Sequence, residues 1–194
     1  MAGIPIIYRK AGETAVASYN YTDIAEGTGV VVFYGFKTYD GNYHLSNNVL
    51  YSETIETISA TNMTFNFDLS PFNLPKIIKG TALVKFCFRI IAAGTISFVL
   101  TLQKVSGGAA TSIGTASLSN YSVTTAPVNR LVSIALTETH FKAGDFLRFV
   151  MDVTNNGGST AYGHDPANRE GVYVTPVATY PTKLEVHIPF KLDL

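Results

Sequence analysis

The stretch ALVKFCFRII, residues 82–91, decides the fold. Val84, Phe86, Phe88 and Ile90 fall on one face, with Lys85 and Arg89 beside Leu83 and Cys87 on the other. A period of two places successive side chains on opposite sides of an extended chain, so the run predicts a β-strand with one face in a core. The same alternation recurs on either side of it. GTISFVLTLQ (94–103) aligns Ile96, Phe98, Leu100 and Leu102, and RLVSIALT (130–137) aligns Val132, Ile134 and Leu136. DFLRFVMDV (145–153) aligns Leu147, Phe149, Met151 and Val153, and KLEVHIPF (183–190) aligns Leu184, Val186, Ile188 and Phe190. GVVVFYGF (29–36) and MTFNFDL (63–69) are earlier candidates.

No window carries a helical stripe. SETIETISAT (52–61) comes nearest, but its β-branched Thr and Ile favour extended chain. Turn-formers punctuate the runs: YDGN, SPFNLP, AAGT, SGGA, AGD and TNNGGS. In THFKAGDFLRF (139–149) a strand ends, Phe141 tucks into the core, Ala143-Gly144-Asp145 turns and the next strand starts at Phe146. Strands so spaced with no helix between them predict an all-β chain. The expected architecture is an antiparallel β-sandwich, a jelly roll, of about eight strands. Residues 21–194 read as a single sandwich domain, and 1–20 as either an N-terminal arm or the first strand.

Composition limits the partners. The chain has 14 Lys and Arg against 14 Asp and Glu, so its formal net charge is zero, and charged residues make up only 14% of it. Nucleic acid and anionic membranes select basic surfaces, so neither is expected as a partner. No apolar stretch approaches the roughly 18 residues of a membrane span. MAGIPIIYRK places its basic residues after a short apolar patch, the reverse of a secretion signal, so secretion by a signal peptide is not expected. The single cysteine, Cys87, allows no internal disulfide and reads as a small buried residue.

Ionisable groups concentrate in GHDPANREG, residues 163–171. As a metal site, Asp165, Asn168 and Glu170 do not match the spacing of a calcium loop, and Pro166 stiffens the place where such a loop must wrap. As a hydrolytic site, His164 and Asp165 lack a nucleophile motif such as GxSxG to serve. As a turn, Asp165-Pro166 opens it, Asn168 falls near its end, Gly163 and Gly171 flank it, and Arg169 pairs with Asp165 or Glu170. We therefore read Gly163, His164, Asp165, Pro166, Arg169, Glu170 and Gly171 as a structural loop, and expect no catalytic residues, metal or cofactor. Tyr39, Tyr43, Tyr51, Tyr162 and Tyr173 lie in turn-rich places and read as accessible, suited to a glycan or, better, a protein interface.

Several separated blocks resemble, as a set, small proteins encoded by tailed bacteriophages. They are YNYTDIAEGTG (19–29), FYGFKT (33–38), FNLPKIIKGTA (72–82), GHDPANREG and IPFKLDL (188–194). The resemblance implies a jelly-roll virion structural protein, such as a head decoration or auxiliary capsid protein, and supplies no catalytic residues. The expected function is then a non-enzymatic protein that docks on and reinforces the head shell; a glycan- or receptor-binding tail or fibre module is the alternative. The expected partners are the major capsid protein or other virion subunits and further copies of the chain, a trimer among the options. The expected location is the virion, assembled in the host cytoplasm. Both apolar ends are candidates for docking: Ile4, Pro5, Ile6, Ile7 and Tyr8, and Ile188, Pro189 and Phe190.

Overall fold

The computed structural model describes residues 6–8, 17–19, 29–38, 40–48, 55–58, 62–90, 94–122, 128–157, 160–163 and 183–192. Among them are thirteen strands and no helix. In chain order these are β1 (Ile6–Tyr8), β2 (Ala17–Tyr19), β3 (Gly29–Lys37), β4 (Tyr43–Ser46), β5 (Ile55–Ile58), β6 (Asn62–Leu69) and β7 (Lys76–Ile90). They continue as β8 (Thr95–Ser106), β9 (Ala109–Ser122), β10 (Val128–Phe141), β11 (Phe146–Asn156), β12 (Thr160–Gly163) and β13 (Glu185–Leu192). The all-β expectation holds. Eight strands have eight residues or more, and the other five have three or four.

β1 and β2 pair only with each other among the described residues. The rest form one sheet in the order β5-β12-β7-β13-β3-β4-β6-β11-β8-β9, with β10 paired to β7. Every pairing is antiparallel except β4 with β6, so the sheet is mixed where alternation alone predicted an antiparallel one. The cause is local. β3 turns back into β4 through Thr38–Asn42, held by Thr38 N–H to Asn42 O at 2.8 Å and Gly41 N–H to Thr38 O at 2.9 Å. The chain then crosses over before β6, which enters running the same way as β4.

Two walls face each other across the core. One is β9-β8-β11-β6, the other β10-β7-β13-β3, and β4 joins them through β3 and β6. The predicted apolar faces supply the filling: Phe65, Phe67, Val84, Phe86, Phe88, Ile96, Phe98, Leu100, Leu102, Ile134, Leu147, Phe149 and Met151 are all buried. Their aromatic rings interlock. Phe98 lies 5.1 Å from Phe86 and 4.8 Å from Phe88, while Phe72 meets Phe141 edge-on at 5.2 Å. Edge-to-face contact of this kind is favoured by the ring quadrupole and adds to simple area burial.

Backbone details fix the ends. β8 and β9 join through Gly107-Gly108, both with positive φ, as the tight turn of a twisted hairpin demands. In the 142–145 corner, Lys142 N–H donates to the Asp145 carboxylate at 2.8 Å, and Phe72 N–H donates to Asp145 O at 2.8 Å. Phe141 is fully buried below this corner, as the sequence predicted.

Candidate functional site

The sequence-nominated residues divide into three groups. His164, Asp165, Pro166, Arg169, Glu170 and Gly171 lie outside the described residues, as do Ile4, Pro5, Tyr39, Tyr51 and Tyr173. Gly163 ends β12, opposite Cys87 of β7 and Ile55 of β5, and Ile6, Ile7 and Tyr8 form β1.

The third group is taken up by the chain's own core. Ile188 (0% exposed) and Phe190 (2%) are enclosed, with Phe190 against Phe33 and Phe72 at 5.9 and 5.8 Å. Only Pro189 of that trio points outward, over Gly80. The reading of 188–190 as a docking segment is corrected accordingly: an apolar strand end and an apolar docking tail look alike in sequence. Tyr162, expected to be accessible, is 1% exposed with its ring 5.2 Å from Phe65. Tyr43 is half-buried against Phe65 and Phe67. Neither is an open platform for a sugar.

Cys87 is buried, and desolvation pushes its thiol up to about 11. A thiol so placed stays protonated and unreactive at neutral pH. Among the described residues no cluster of three His, Cys, Asp or Glu is arranged to hold a metal.

The two walls present different outer surfaces. Across β9-β8-β11-β6, ladder neighbours give the rows Ser117–Val99–Asp152–Thr64 and Thr115–Thr101–Val150–Asn66. The next row, Ser112–Gln103–Arg148–Asp68, ends in a two-pronged ion pair at 2.6 and 2.8 Å. This wall is covered mainly by hydroxyls, amides and paired charges, with Val99 exposed among them.

The opposite wall has an apolar character that its position does not require. Across β10-β7-β13-β3 the rows are Leu131–Lys85–Glu185–Tyr34 and Ser133–Leu83–His187–Val32, with Val30 opposite Pro189. Leu131 and Val30 are 65% and 64% exposed, and Leu83 is also exposed. At the centre one Glu185 oxygen lies 3.5 Å from both Lys85 Nζ and His187 Nε2, all three partly covered. Lys183 lies over the Tyr34 ring at 5.4 Å. A wall with apolar side chains around a partly desolvated ionic centre has the make-up of a protein-docking face. Sequence reading found the alternation but assigned this side to water, because Lys85, Glu185 and His187 mark it as polar.

Two cavities lie among the described residues. One, of about 180 Å³, is lined by Val31, Phe33, Leu69, Phe72, Lys76 and Phe190 among others. The second, of about 330 Å³, lies between β9 and β10 among Lys104, Ser106, Thr111, Ser112, Thr137 and Thr139. Neither contains the Glu185–His187 pair.

No protein-family model matches the chain, and no curated protein matches its sequence. Solved structures do match its fold. A CocE/NonD family hydrolase from Staphylococcus aureus aligns with a TM-score of 0.59 at 11% identity, over 96% of this chain and 41% of that one. An α-amino acid ester hydrolase aligns at 0.57 and 11% identity, over 83% of this chain and 36% of that one. An aminopeptidase from a marine sediment archaeon, Thaumarchaeota archaeon, aligns at 0.57 and 8% identity, over 90% and 38%. The chain thus spans about two fifths of the length of these structures.

These likenesses establish a shared fold, and they correct two expectations. The non-enzymatic virion reading, with its tail-module alternative, does not stand, because the structures that share the fold at these scores are hydrolases. An infectious bursal disease virus structure aligns at only 0.36, too low to carry an argument. The expectation that the chain is not an enzyme falls with it. Low charge, apolar ends and period-two patterning describe how a β-sandwich packs, and a sandwich hosts many roles.

Proposed function

We propose that this chain is the β-sandwich module of a hydrolase of the kind that the CocE/NonD structures represent, with the β10-β7-β13-β3 wall facing the remainder of the enzyme. One observation carries the reading: nearly the whole chain superposes on about two fifths of a hydrolase. The uneven walls supply its geometry. The module rests its apolar wall, with Leu131, Leu83 and Val30, on the catalytic part and leaves the hydroxyl-covered wall to water. The substrate class is an α-amino acid ester or an N-terminal peptide bond, by analogy with the ester hydrolase and the aminopeptidase.

The test is to purify the chain from its source together with whatever is joined to it, and to follow cleavage of aminoacyl p-nitrophenyl esters and p-nitroanilides. The expected result is turnover that copurifies with the chain and falls in an L131D/V30D variant of unchanged melting temperature. A chain that purifies with neither activity overturns the proposal.

A further inference from the structure

We propose that the cavity beside the β6–β7 connection binds a small hydrophobic monocarboxylate, with Lys76 holding the acid group and the rings beneath it holding the hydrocarbon. Phe33, Phe72 and Phe190 line this cavity together with Val31, Leu69 and Leu74. Its volume is about 180 Å³. An apolar cavity of about 150 Å³ takes up one benzene ring, so there is room here for an acid of about six carbons.

The walls are set before any ligand arrives. Phe72 N–H donates to Asp145 O and Phe72 O accepts from Gly144 N–H, both at 2.8 Å. The Phe72 ring meets Phe190 at 5.8 Å and Phe190 meets Phe33 at 5.9 Å, each close to edge-on. Lys76 opens β7, and its Nζ lies over two of these rings, 5.5 Å from Phe72 and 5.3 Å from Phe190. The ammonium is thus held on the same rings that receive a hydrocarbon chain, so a charged head and an apolar body are met together. Lys76 is the one charged side chain among the described residues that line the cavity. An ammonium offers three donors and no acceptor, which suits a carboxylate and turns away an amine. Asn47, Ser70 and Asn73, exposed at the rim, add neutral donors for the second carboxylate oxygen. A phosphate ion has no apolar body and leaves the three rings uncovered.

A titration of the ¹⁵N-labelled full chain with 4-methylpentanoate, and separately with the neutral 4-methylpentanamide, followed by amide NMR shifts, tests the site. The expected result is saturable shifts centred on Val31, Asn73, Leu74 and Lys76 with the acid. The amide should bind at least roughly tenfold more weakly, as a charge-assisted hydrogen bond is lost. K76Q should bind acid and amide alike, K76R should keep the preference, and V31F, whose ring fills the cavity, should bind neither. The same spectra establish that each variant is folded. A wild type without saturable shifts at these residues, an amide that binds as tightly as the acid, or a folded K76Q with wild-type affinity for the acid each overturns the proposal. The readout is independent of hydrolase activity.

Discussion

Arg148 and Asp68 sit opposite each other on β11 and β6, joined by two parallel hydrogen bonds, from Nε at 2.6 Å and from Nη2 at 2.8 Å. The planar guanidinium fork matches the carboxylate, which favours arginine over lysine at this position. The carboxylate holds the Arg148 charge on, raising its pKa above the ordinary arginine value. Both side chains are about 30% exposed, so solvent screens the pair. A double-mutant cycle with R148M and D68N, read by urea unfolding, is expected to give a coupling of about 1 kcal/mol, and R148K to lose most of it.

Asp145 is an acid-sensitive point of the fold. Its carboxyl is held down to about 2 by the Ser106 hydroxyl, then by the Lys142 N–H and by Lys104. A carboxylate whose folded pKa lies below its unfolded value of 3.8 contributes stability in full above that value. The contribution is lost as pH falls from about 4 through 2. Urea midpoints measured from pH 6 down to pH 2 are expected to fall more steeply for wild type than for D145N. At pH 7, D145A should cost about 1–3 kcal/mol, since the Lys142 amide and Ser106 hydroxyl lose their acceptor.

Gly114 marks a close approach of β9 to β10, and its lack of a side chain permits it. A methyl there meets Ala135 O at 2.6 Å and Leu136 Cδ2 at 2.8 Å, one of them unyielding backbone. G114A should therefore destabilise by about 1–3 kcal/mol through overpacking. At Gly108 nothing lies within reach of a Cβ, and only its φ of +85° resists substitution. Thermal melts of G114A and G108N separate the two causes, with the asparagine expected to cost less because it tolerates positive φ.

Cys87 should report on unfolding. Its thiol is buried and pushed up to about 11, so a disulfide reagent finds little thiolate and no access in the native state. Labelling at pH 8 is expected to be slow and to accelerate with urea in step with loss of structure. Fast labelling of the native protein would contradict the burial.

Much of the architecture was legible because its signal is carried by large side chains. Val84, Phe86 and Phe88, or Leu147, Phe149 and Met151, announce their faces without reference to anything distant. β9 was not legible. Ser, Thr, Ala and Gly give no strong alternation, and the strand is fixed by its glycine turn and by the ladder to β8. Tyr162 misled for a related reason: Gly163 beside it suggested a loop, whereas pairing with β5 and β7 buries it. The outer wall was half legible: Leu83 stood on the same face as Lys85 in the alternation, but only the ladder brings Leu131 beside Lys85. Role was least legible of all, because the patterns that specify a sandwich are common to modules with different duties.

β7 pairs with β10 along one side and with β13 and β12 along the other, so one strand of fifteen residues is shared by several neighbours distant in sequence. β7 cannot leave without breaking all three of these ladders and exposing Val84, Phe86 and Phe88 together. The most slowly exchanging amides should therefore gather on residues 82–88, and exchange there should occur only through global opening. Because these partners lie so far apart along the chain, the ladder assembles by closing long loops, a topology that slows folding.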